Sequence, residues 1–285
     1  MIKTINYFFQ SCFIYLFFVI GFILRIKISR KLFSWLFSTF GPYFKSKQTI
    51  DKNLNICYEN ISDIKKEKIV NEMWKNYGMT FIEYIFLNHF RKNIFHIKTH
   101  GEENLLRVMR NSKPVIFVSG HFANFELMSM EITKKKISLA TIYRPLNNFF
   151  LNFFMEYIRE KYVCQNQIKK GINGVREAIK FIKTKHSIAL MIDQRVSEGE
   201  KIDFFNKPAF TTTLPAQLSI KFNLEIIPVF IKRDDNDKFH INFYEGINPK
   251  NFNNKLDLTK KLNEVLEKMI IKNPNQWIWT HNRWK

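Results

Sequence analysis

The sequence predicts an α/β fold in which a mixed β-sheet is flanked by helices, with an N-terminal membrane anchor helix in front of it. Three observations support this prediction: a long uncharged apolar stretch near the N-terminus, short runs rich in β-branched residues, and amphipathic stretches that alternate with those runs. With 285 residues, 46% of them hydrophobic, the chain can bury a sizeable core. A largely disordered protein is therefore excluded.

Residues 5–24 carry no formal charge, and at 1.5 Å per residue they are long enough to cross a hydrocarbon layer of roughly 30 Å. A signal peptide is the alternative, but its apolar region is usually shorter, and no small-residue cleavage site follows here. Basic residues flank the C-terminal side of the stretch, whereas Lys3 stands alone on the other side: Arg25, Lys27, Arg30 and Lys31. This asymmetry places the main domain in the cytoplasm. We therefore divide the chain into an anchor (residues 1–31) and one globular domain (residues 32–285).

Helical and strand patterns follow one another along that domain. Residues 32–44 are aromatic and fit either a segment in the headgroup region or a first core helix. Residues 62–90 have apolar side chains at helical spacing. Strands are predicted at residues 114–120, 137–145, 186–193, 224–233 and 238–245. Further helices are predicted at residues 121–135, 147–162, 171–185 and 256–272.

The segment Gly-His-Phe-Ala-Asn-Phe-Glu at residues 120–126 places His121 and Glu126 five residues apart where a predicted strand gives way to a helix. The ends of strands are where α/β proteins expose reactive groups. A neutral imidazole can take the proton from a hydroxyl, and a carboxylate on its other nitrogen orients the ring and stabilises the imidazolium. We expect Glu126 to be that carboxylate. The alternative is a helix-terminal histidine beside a solvated glutamate.

The wider pattern decides between these two interpretations, because the chain resembles the lipid A biosynthesis acyltransferases, the lauroyl and myristoyl transferases of Gram-negative envelopes. The resemblance runs from the apolar N-terminus to Lys285. It includes the segment at 120–126, the YRP motif at 143–145, Arg159, Asp193-Gln194, the segment at 204–219 and the closing QWIWTHNRW. It implies a glycerol-phosphate-acyltransferase-like fold and an acyltransferase domain at residues 32–285.

In that family the histidine and acidic residue of the HX4(D/E) motif are catalytic, and these positions fall on His121 and Glu126. The residues that match Arg159 and Asp193 are also linked to activity. A guanidinium at Arg159 suits either an oxyanion or an acceptor phosphate, and a structural ion pair is the alternative. We expect Asp193 to end a buried strand, where it would pair with Arg159 or Arg144 or be purely structural. Substrate binding is assigned to three residues within the matching motifs: Asn124, Arg144 and Gln194.

The resemblance also implies the substrates: an acyl chain from acyl carrier protein, and a hydroxyl of a phosphorylated lipid A precursor at the inner membrane. The formal net charge of +20 suits both an acidic carrier and an anionic membrane. The mechanism requires neither a metal nor an organic cofactor, and the three distant cysteines predict no zinc site. Two alternatives remain. The acceptor is another membrane lipid (glycerophospholipid, ornithine lipid or phosphoinositol mannoside), or the chain is a non-catalytic, basic, membrane-tethered binding protein; no nucleic-acid motif supports a nucleic-acid partner.

Overall fold

The computed structural model describes residues 2–111 and 113–285, and strands alternate with helices from residue 97 onward, as the α/β prediction requires. The helices are α1 (Ile2–Phe40), α2 (Lys47–Cys57), α3 (Asp63–Glu83), α4 (Leu87–Lys92), α5 (Glu102–Asn111), α6 (Glu126–Lys134), α7 (Phe149–Tyr162), α8 (Ile172–Lys183), α9 (Leu214–Phe222) and α10 (Lys255–Lys272). The strands are β1 (Ile97–His100), β2 (Ile116–Ser119), β3 (Leu139–Tyr143), β4 (Asn166–Lys169), β5 (Ser187–Met191), β6 (Glu200–Phe204), β7 (Lys207–Thr211), β8 (Ile226–Arg233) and β9 (Phe239–Phe243).

The main sheet has the strand order β1-β9-β8-β2-β5-β3-β4. Its neighbouring strands are parallel except for β8 and β9, which form an antiparallel hairpin. The hairpin turns at Asp234 to Asp237, where Asp237 has φ 59°, a left-handed conformation that aspartate tolerates. The predicted mixed sheet is therefore confirmed. Strands β6 and β7 form a separate antiparallel pair.

Helices cover both faces of the sheet. Ile116 and Val118 of β2 belong to one core and Phe117 to the other, because successive side chains of a strand point to opposite faces. Helices α8, α9 and α10 supply buried side chains to the first core, and α6 and α7 supply them to the second. Burial on both faces explains why the central strands are apolar without alternation.

The N-terminal helix α1 has a break at Arg25, whose φ of 57° and ψ of 164° lie outside the helical region. Its most apolar 18-residue window has a mean hydropathy of 2.1, so by length and composition it can cross a membrane. One side of α1 packs closely on α3, because a side chain added at Gly21 would overlap that of Ile82. Within residues 32–44, Phe33 is fully buried whereas Trp35 is 57% exposed. That segment thus has one core-facing side and one exposed side.

One predicted helix begins later than expected. The sequence predicts a helix from His121, but α6 begins at Glu126, and residues 121–125 form turns instead. The physical reason is Ala123, whose φ of 44° is left-handed and cannot continue a right-handed helix. The delay matters because it leaves His121 on a loop rather than on a helix.

Candidate active site

His121 lies two residues after the end of strand β2, at the carboxyl end of the main sheet. Strand β2 pairs in parallel with β5, and the register places Ser119 opposite Met191. His121 and Asp193 each lie two residues beyond that pair. They therefore lie side by side at the carboxyl end of the two neighbouring strands. The register explains how residues 72 positions apart come into contact.

Asp193 holds His121 through both its backbone and its ring. Asp193 Oδ1 lies 2.7 Å from His121 Nδ1, and Asp193 Oδ2 accepts a hydrogen bond of 2.7 Å from the His121 backbone N–H. Trp277 Nε1 donates a further bond of 2.9 Å to Oδ2. The Asp193 side chain is fully buried, whereas that of His121 is 21% exposed. Since Nε2 of His121 has no hydrogen-bond partner among the described residues, it can accept a proton from a substrate.

The charge of Asp193 is stabilised inside the protein. Burial alone would raise the pKa of its carboxyl group, because desolvation disfavours the anion. The electrostatic interaction with the His121 ring and the hydrogen bonds from His121 and Trp277 outweigh that effect and hold the pKa of Asp193 below its usual range. Asp193 is therefore an anion at neutral pH, as the orientation of a catalytic histidine requires.

The absence of a side chain at Gly120 allows Asp193 to lie close to the backbone of the loop that carries His121. A side chain at that position would place its first carbon 2.8 Å from the Phe122 ring, 3.0 Å from Leu266 and 3.2 Å from Asp193 Oδ2. Such distances are shorter than ordinary contacts between non-bonded atoms. A glycine is therefore needed between the end of β2 and His121.

The expected partnership of His121 with Glu126 is wrong in this structure. Glu126 Oε1 instead forms an ion pair with Arg159 of α7, at 2.8 Å from Nε and 2.6 Å from Nη2, and it accepts a hydrogen bond of 2.9 Å from Tyr84. Neither alternative considered for Asp193, pairing with Arg159 or Arg144 or a purely structural carboxylate, included the contact with His121 that the structure shows. Asp193 is bound to His121, and Arg159 is bound to Glu126.

Arg159 lies in a mostly buried, aromatic environment, with its side chain 12% exposed. The guanidinium lies over the rings of Tyr84 and Tyr143, at 5.9 and 5.6 Å from their centroids. Burial alone would lower the pKa of Arg159, but Glu126 outweighs burial and raises it, so the cation is permanent. Its Nη1 makes no hydrogen bond to the residues that the structure describes, which leaves one donor for a ligand.

The three residues assigned to substrate binding occupy different environments. Asn124 is 1% exposed, and its Nδ2 donates a hydrogen bond of 3.0 Å to Glu83 inside the protein. This placement favours a role in holding the loop over direct contact with substrate. Arg144 is exposed just after β3, and Gln194 is half-buried next to Asp193. Substrate binding by these two side chains stays a prediction.

Sequence reasoning missed the contribution of helix α3 to the site. Thr80 donates a hydrogen bond of 3.1 Å to the carbonyl of Ala123, in the middle of the loop that carries His121. Thr80 and Glu83 of α3, and Tyr84 directly after it, lie at helical spacing, so they contact that loop and Glu126 from one side. The available signal was a lone glutamate in the apolar stretch TFIEYIF, since a buried charge needs a partner.

Glu83 also joins three elements of the fold. Its carboxylate contacts Arg30 of α1 at 2.7 Å and Nη2 of Arg233 of β8 at 3.0 Å. Each of these three residues is at most 5% exposed. Burial would raise the pKa of Glu83, but the two arginines and Asn124 lower it overall, so Glu83 is ionised.

A sequence profile of bacterial lipid A biosynthesis acyltransferases matches residues 3–285. The chain belongs to this family. Membership identifies the protein as an acyltransferase, which confirms the expected enzyme class and sets aside the alternative of a non-catalytic binding protein. The family assignment made from the sequence motifs is likewise confirmed.

Several relatives align with this acyltransferase over most of both chains. The lipid A biosynthesis palmitoleoyltransferase of Escherichia coli (strain K12) is 25% identical over 259 residues, covering 86% of this chain and 80% of that protein. The lipid A biosynthesis acyltransferase of Haemophilus influenzae is 22% identical over 261 residues, covering 89% and 82%. Among solved structures, the 1-acyl-sn-glycerophosphate acyltransferase PlsC from Thermotoga maritima aligns over 89% of this chain and 100% of that chain, with a TM-score of 0.42 and 15% identity.

Proposed function

We propose that this acyltransferase moves a fatty acyl chain from an acyl carrier protein thioester to a hydroxyl of a lipid A precursor, on the cytoplasmic side of the inner membrane. The observation that carries the proposal is the His121–Asp193 pair at the end of β2, in a chain that belongs to the lipid A acyltransferase family. The names of its relatives support the lipid A acceptor.

The proposed reaction is direct transfer between two substrates. His121 Nε2 takes the proton of the acceptor hydroxyl as the hydroxyl oxygen bonds to the thioester carbonyl carbon. The resulting tetrahedral oxyanion collapses, the carbon–sulfur bond breaks, and the leaving thiolate takes the proton back from His121. Asp193 keeps a proton on Nδ1 during this cycle and stabilises the imidazolium. No nucleophile of the enzyme is consumed.

Arg159 and Glu126 form a second functional unit in this proposal. Glu126 fixes two nitrogens of the guanidinium, so that the cation is held in place before the substrates bind. The remaining Nη1 then donates either to the oxyanion or to a phosphate of the acceptor. Both roles use the same preorganised positive charge.

The charge and the N-terminal helix suit the proposed partners. A net charge of +20 favours association with an acidic carrier protein and with anionic headgroups. The division into an anchor at residues 1–31 and an acyltransferase domain at residues 32–285 remains part of the proposal. The apolar window of α1 supports membrane attachment.

Acyl transfer in detergent, followed by mass spectrometry, tests the proposal. Wild type is compared with His121→Ala and with a matched control, His186→Ala, whose ring is half-buried beside Thr184, outside the site. Each protein receives acyl carrier protein thioesters of several chain lengths with either a tetraacyl lipid A precursor or a glycerophospholipid. We expect wild type and the control to acylate the lipid A precursor and His121→Ala not to. Transfer only to the glycerophospholipid would identify the other acceptor, and no transfer above His121→Ala with any pair would refute the assignment.

A further inference from the structure

Helix α7, which carries Arg159, also carries a stripe of exposed apolar side chains. Phe149, Phe153 and Tyr157 lie four residues apart on one face and are 45%, 74% and 55% exposed. Other side chains of α7 are buried: Leu151, Met155 and Ile158. The aromatic stripe (Phe149, Phe153 and Tyr157) is thus distinct from the side of α7 that packs in the core. Contiguous exposed apolar surface marks a site of contact with a protein or a membrane.

Polar contacts fix the first turn of α7 to helix α1. Asn148, the N-cap of α7, donates a hydrogen bond of 2.8 Å to the carbonyl of Tyr7 and accepts one of 3.0 Å from Ser11. Tyr15 donates a bond of 2.8 Å to the carbonyl of Phe150. These bonds are formed in the middle of the most apolar part of α1. If that part of α1 lies in a membrane, the first turn of α7 therefore lies beside it in the same environment.

The neighbouring surface of α1 is also apolar and exposed. Seven large side chains of its first half are between 50% and 71% exposed: Phe8, Phe9, Phe13, Leu16, Val19, Phe22 and Ile23. The ring of Phe8 lies 5.6 Å from that of Phe150, the residue next to the start of the aromatic stripe. The exposed surfaces of the two helices are therefore adjacent.

The exposed charged side chains of α1 and α7 begin at a similar distance beyond one contact between the two helices. The rings of Phe18 and Phe154 lie 5.4 Å apart, and both chains run onward from this contact in the same general direction, since Phe8 contacts Phe150 further back. Arg25 is exposed seven residues beyond Phe18, and the first exposed charges of α7, Glu160 and Lys161, lie six and seven residues beyond Phe154. At 1.5 Å per residue, these exposed charges lie roughly 10 Å past the contact. A shared level at which exposed apolar side chains give way to exposed charged ones is what the surface of a bilayer imposes on adjacent helices.

We propose that the aromatic stripe contacts the lipid bilayer, with Phe149 and Phe153 in the hydrocarbon and Tyr157 at the headgroup level. Tyr157 accepts a hydrogen bond of 2.6 Å from Lys161, and both residue types are favoured at that level. This inference rests on the proposed membrane attachment of α1. It means that the catalytic domain is partly immersed rather than only tethered. Arg159, two residues beyond Tyr157, then lies near the membrane surface, where a lipid acceptor reaches it without leaving the bilayer.

The test measures quenching of a fluorophore by lipids that carry a nitroxide on the acyl chain. The full chain, with the exposed Cys12 replaced by serine, is labelled at Phe153→Cys and reconstituted in vesicles of phosphatidylethanolamine and phosphatidylglycerol. Phe13→Cys on α1 is the positive control. Ile271→Cys is the matched negative control. Ile271 is 46% exposed and lies on α10, which covers the face of the sheet opposite to that covered by α7. The Cys12→Ser protein, treated with the same fluorophore, gives the background fluorescence that does not come from the introduced cysteine. Thermal unfolding followed by circular dichroism shows that each protein is folded.

We expect the labels at positions 13 and 153 to be quenched at least about twofold more than the label at 271. Quenching at 13 but not at 153 would overturn the inference while leaving the membrane attachment of α1 intact. Absence of quenching at both positions would overturn the attachment and the inference together. Because no step of the experiment measures acyl transfer, failure of the proposed catalytic function would be recognised separately.

Discussion

His121 Nδ1 lies 2.7 Å from Asp193 Oδ1, whereas Glu126, in the same motif as His121, is bound to Arg159. The site therefore contains two separate pairs of ionisable side chains. The register of β2 and β5 sets the first pair, and the second joins the first residue of α6 to a residue of α7. Because different elements position them, a substitution in one pair should leave the geometry of the other largely intact.

Replacing Arg159 by lysine tests whether the shape of the guanidinium matters. Lysine keeps the charge but cannot bond to Glu126 through two nitrogens and also present a free donor. We expect kcat/KM to fall by at least about tenfold, which corresponds to about 1.4 kcal/mol of transition-state stabilisation. A fall in kcat would indicate an oxyanion contact, and a rise in KM for the acceptor would indicate a phosphate contact. Arg176→Lys, at an exposed position of α8, is the control, and full activity of Arg159→Lys would contradict both roles.

Replacing Glu83 by glutamine should destabilise the fold. The substitution preserves size but leaves Arg233 buried without a counter-charge, and it leaves Arg30 with only the more distant Asp237, at 3.8 Å. Breaking a buried ion pair in this way costs about 3–5 kcal/mol, and the free energy of unfolding in detergent measures it. The matched control on the same helix is Glu72→Gln, because its partner Lys75 is 38% exposed. Loss of this exposed ion pair should lower the free energy of unfolding by at most about 1 kcal/mol. Equal effects of the two substitutions would contradict a structural role for the buried cluster.

The sequence predicted the class of the fold and most of its strands because apolar runs and helical periodicity are local properties. It predicted all four residues of these two pairs as well. It could not pair them, since the pairing depends on which strands are neighbours and on their register, and both are set by packing across the whole sheet. Strand β4 was missed because its four residues, NQIK, lack an apolar run. Ala123 gave no local signal for a left-handed turn, so α6 was predicted to begin too early.

Replacing Gly120 by alanine should affect both stability and activity. The added carbon would lie 2.8 Å from Phe122 and 3.2 Å from Asp193 Oδ2, so the loop or the carboxylate must shift. Overpacking of this kind typically costs about 1–3 kcal/mol. We expect a lower melting temperature and a lower kcat, because a shift of Asp193 also moves the His121 ring. An alanine variant with unchanged melting temperature and kcat would show that the close approach is not required.

His281 should make stability depend on pH. Burial lowers its pKa, and the positive charges of Arg283 and Arg195 act in the same direction, so the unfolded chain binds a proton at higher pH than the folded protein does. The free energy of unfolding therefore decreases as the pH falls below about 6.5, the usual value for histidine. Denaturation measured between about pH 7.5 and pH 5.5 should show a smaller decrease for His281→Asn than for wild type. An unchanged slope would contradict this contribution.

We propose that Asp193, not Glu126, is the carboxylate that orients the general base. Steady-state acyl transfer by Asp193→Asn and Glu126→Gln tests it most directly, because each substitution removes one negative charge without a large change in shape. Where a buried aspartate orients a catalytic histidine, its replacement by asparagine lowers kcat by about 10⁴-fold. We predict a loss of at least about 10³-fold for Asp193→Asn and a loss at least about tenfold smaller for Glu126→Gln, which acts through Arg159. Near-normal turnover by Asp193→Asn, together with an inactive Glu126→Gln, would contradict the account.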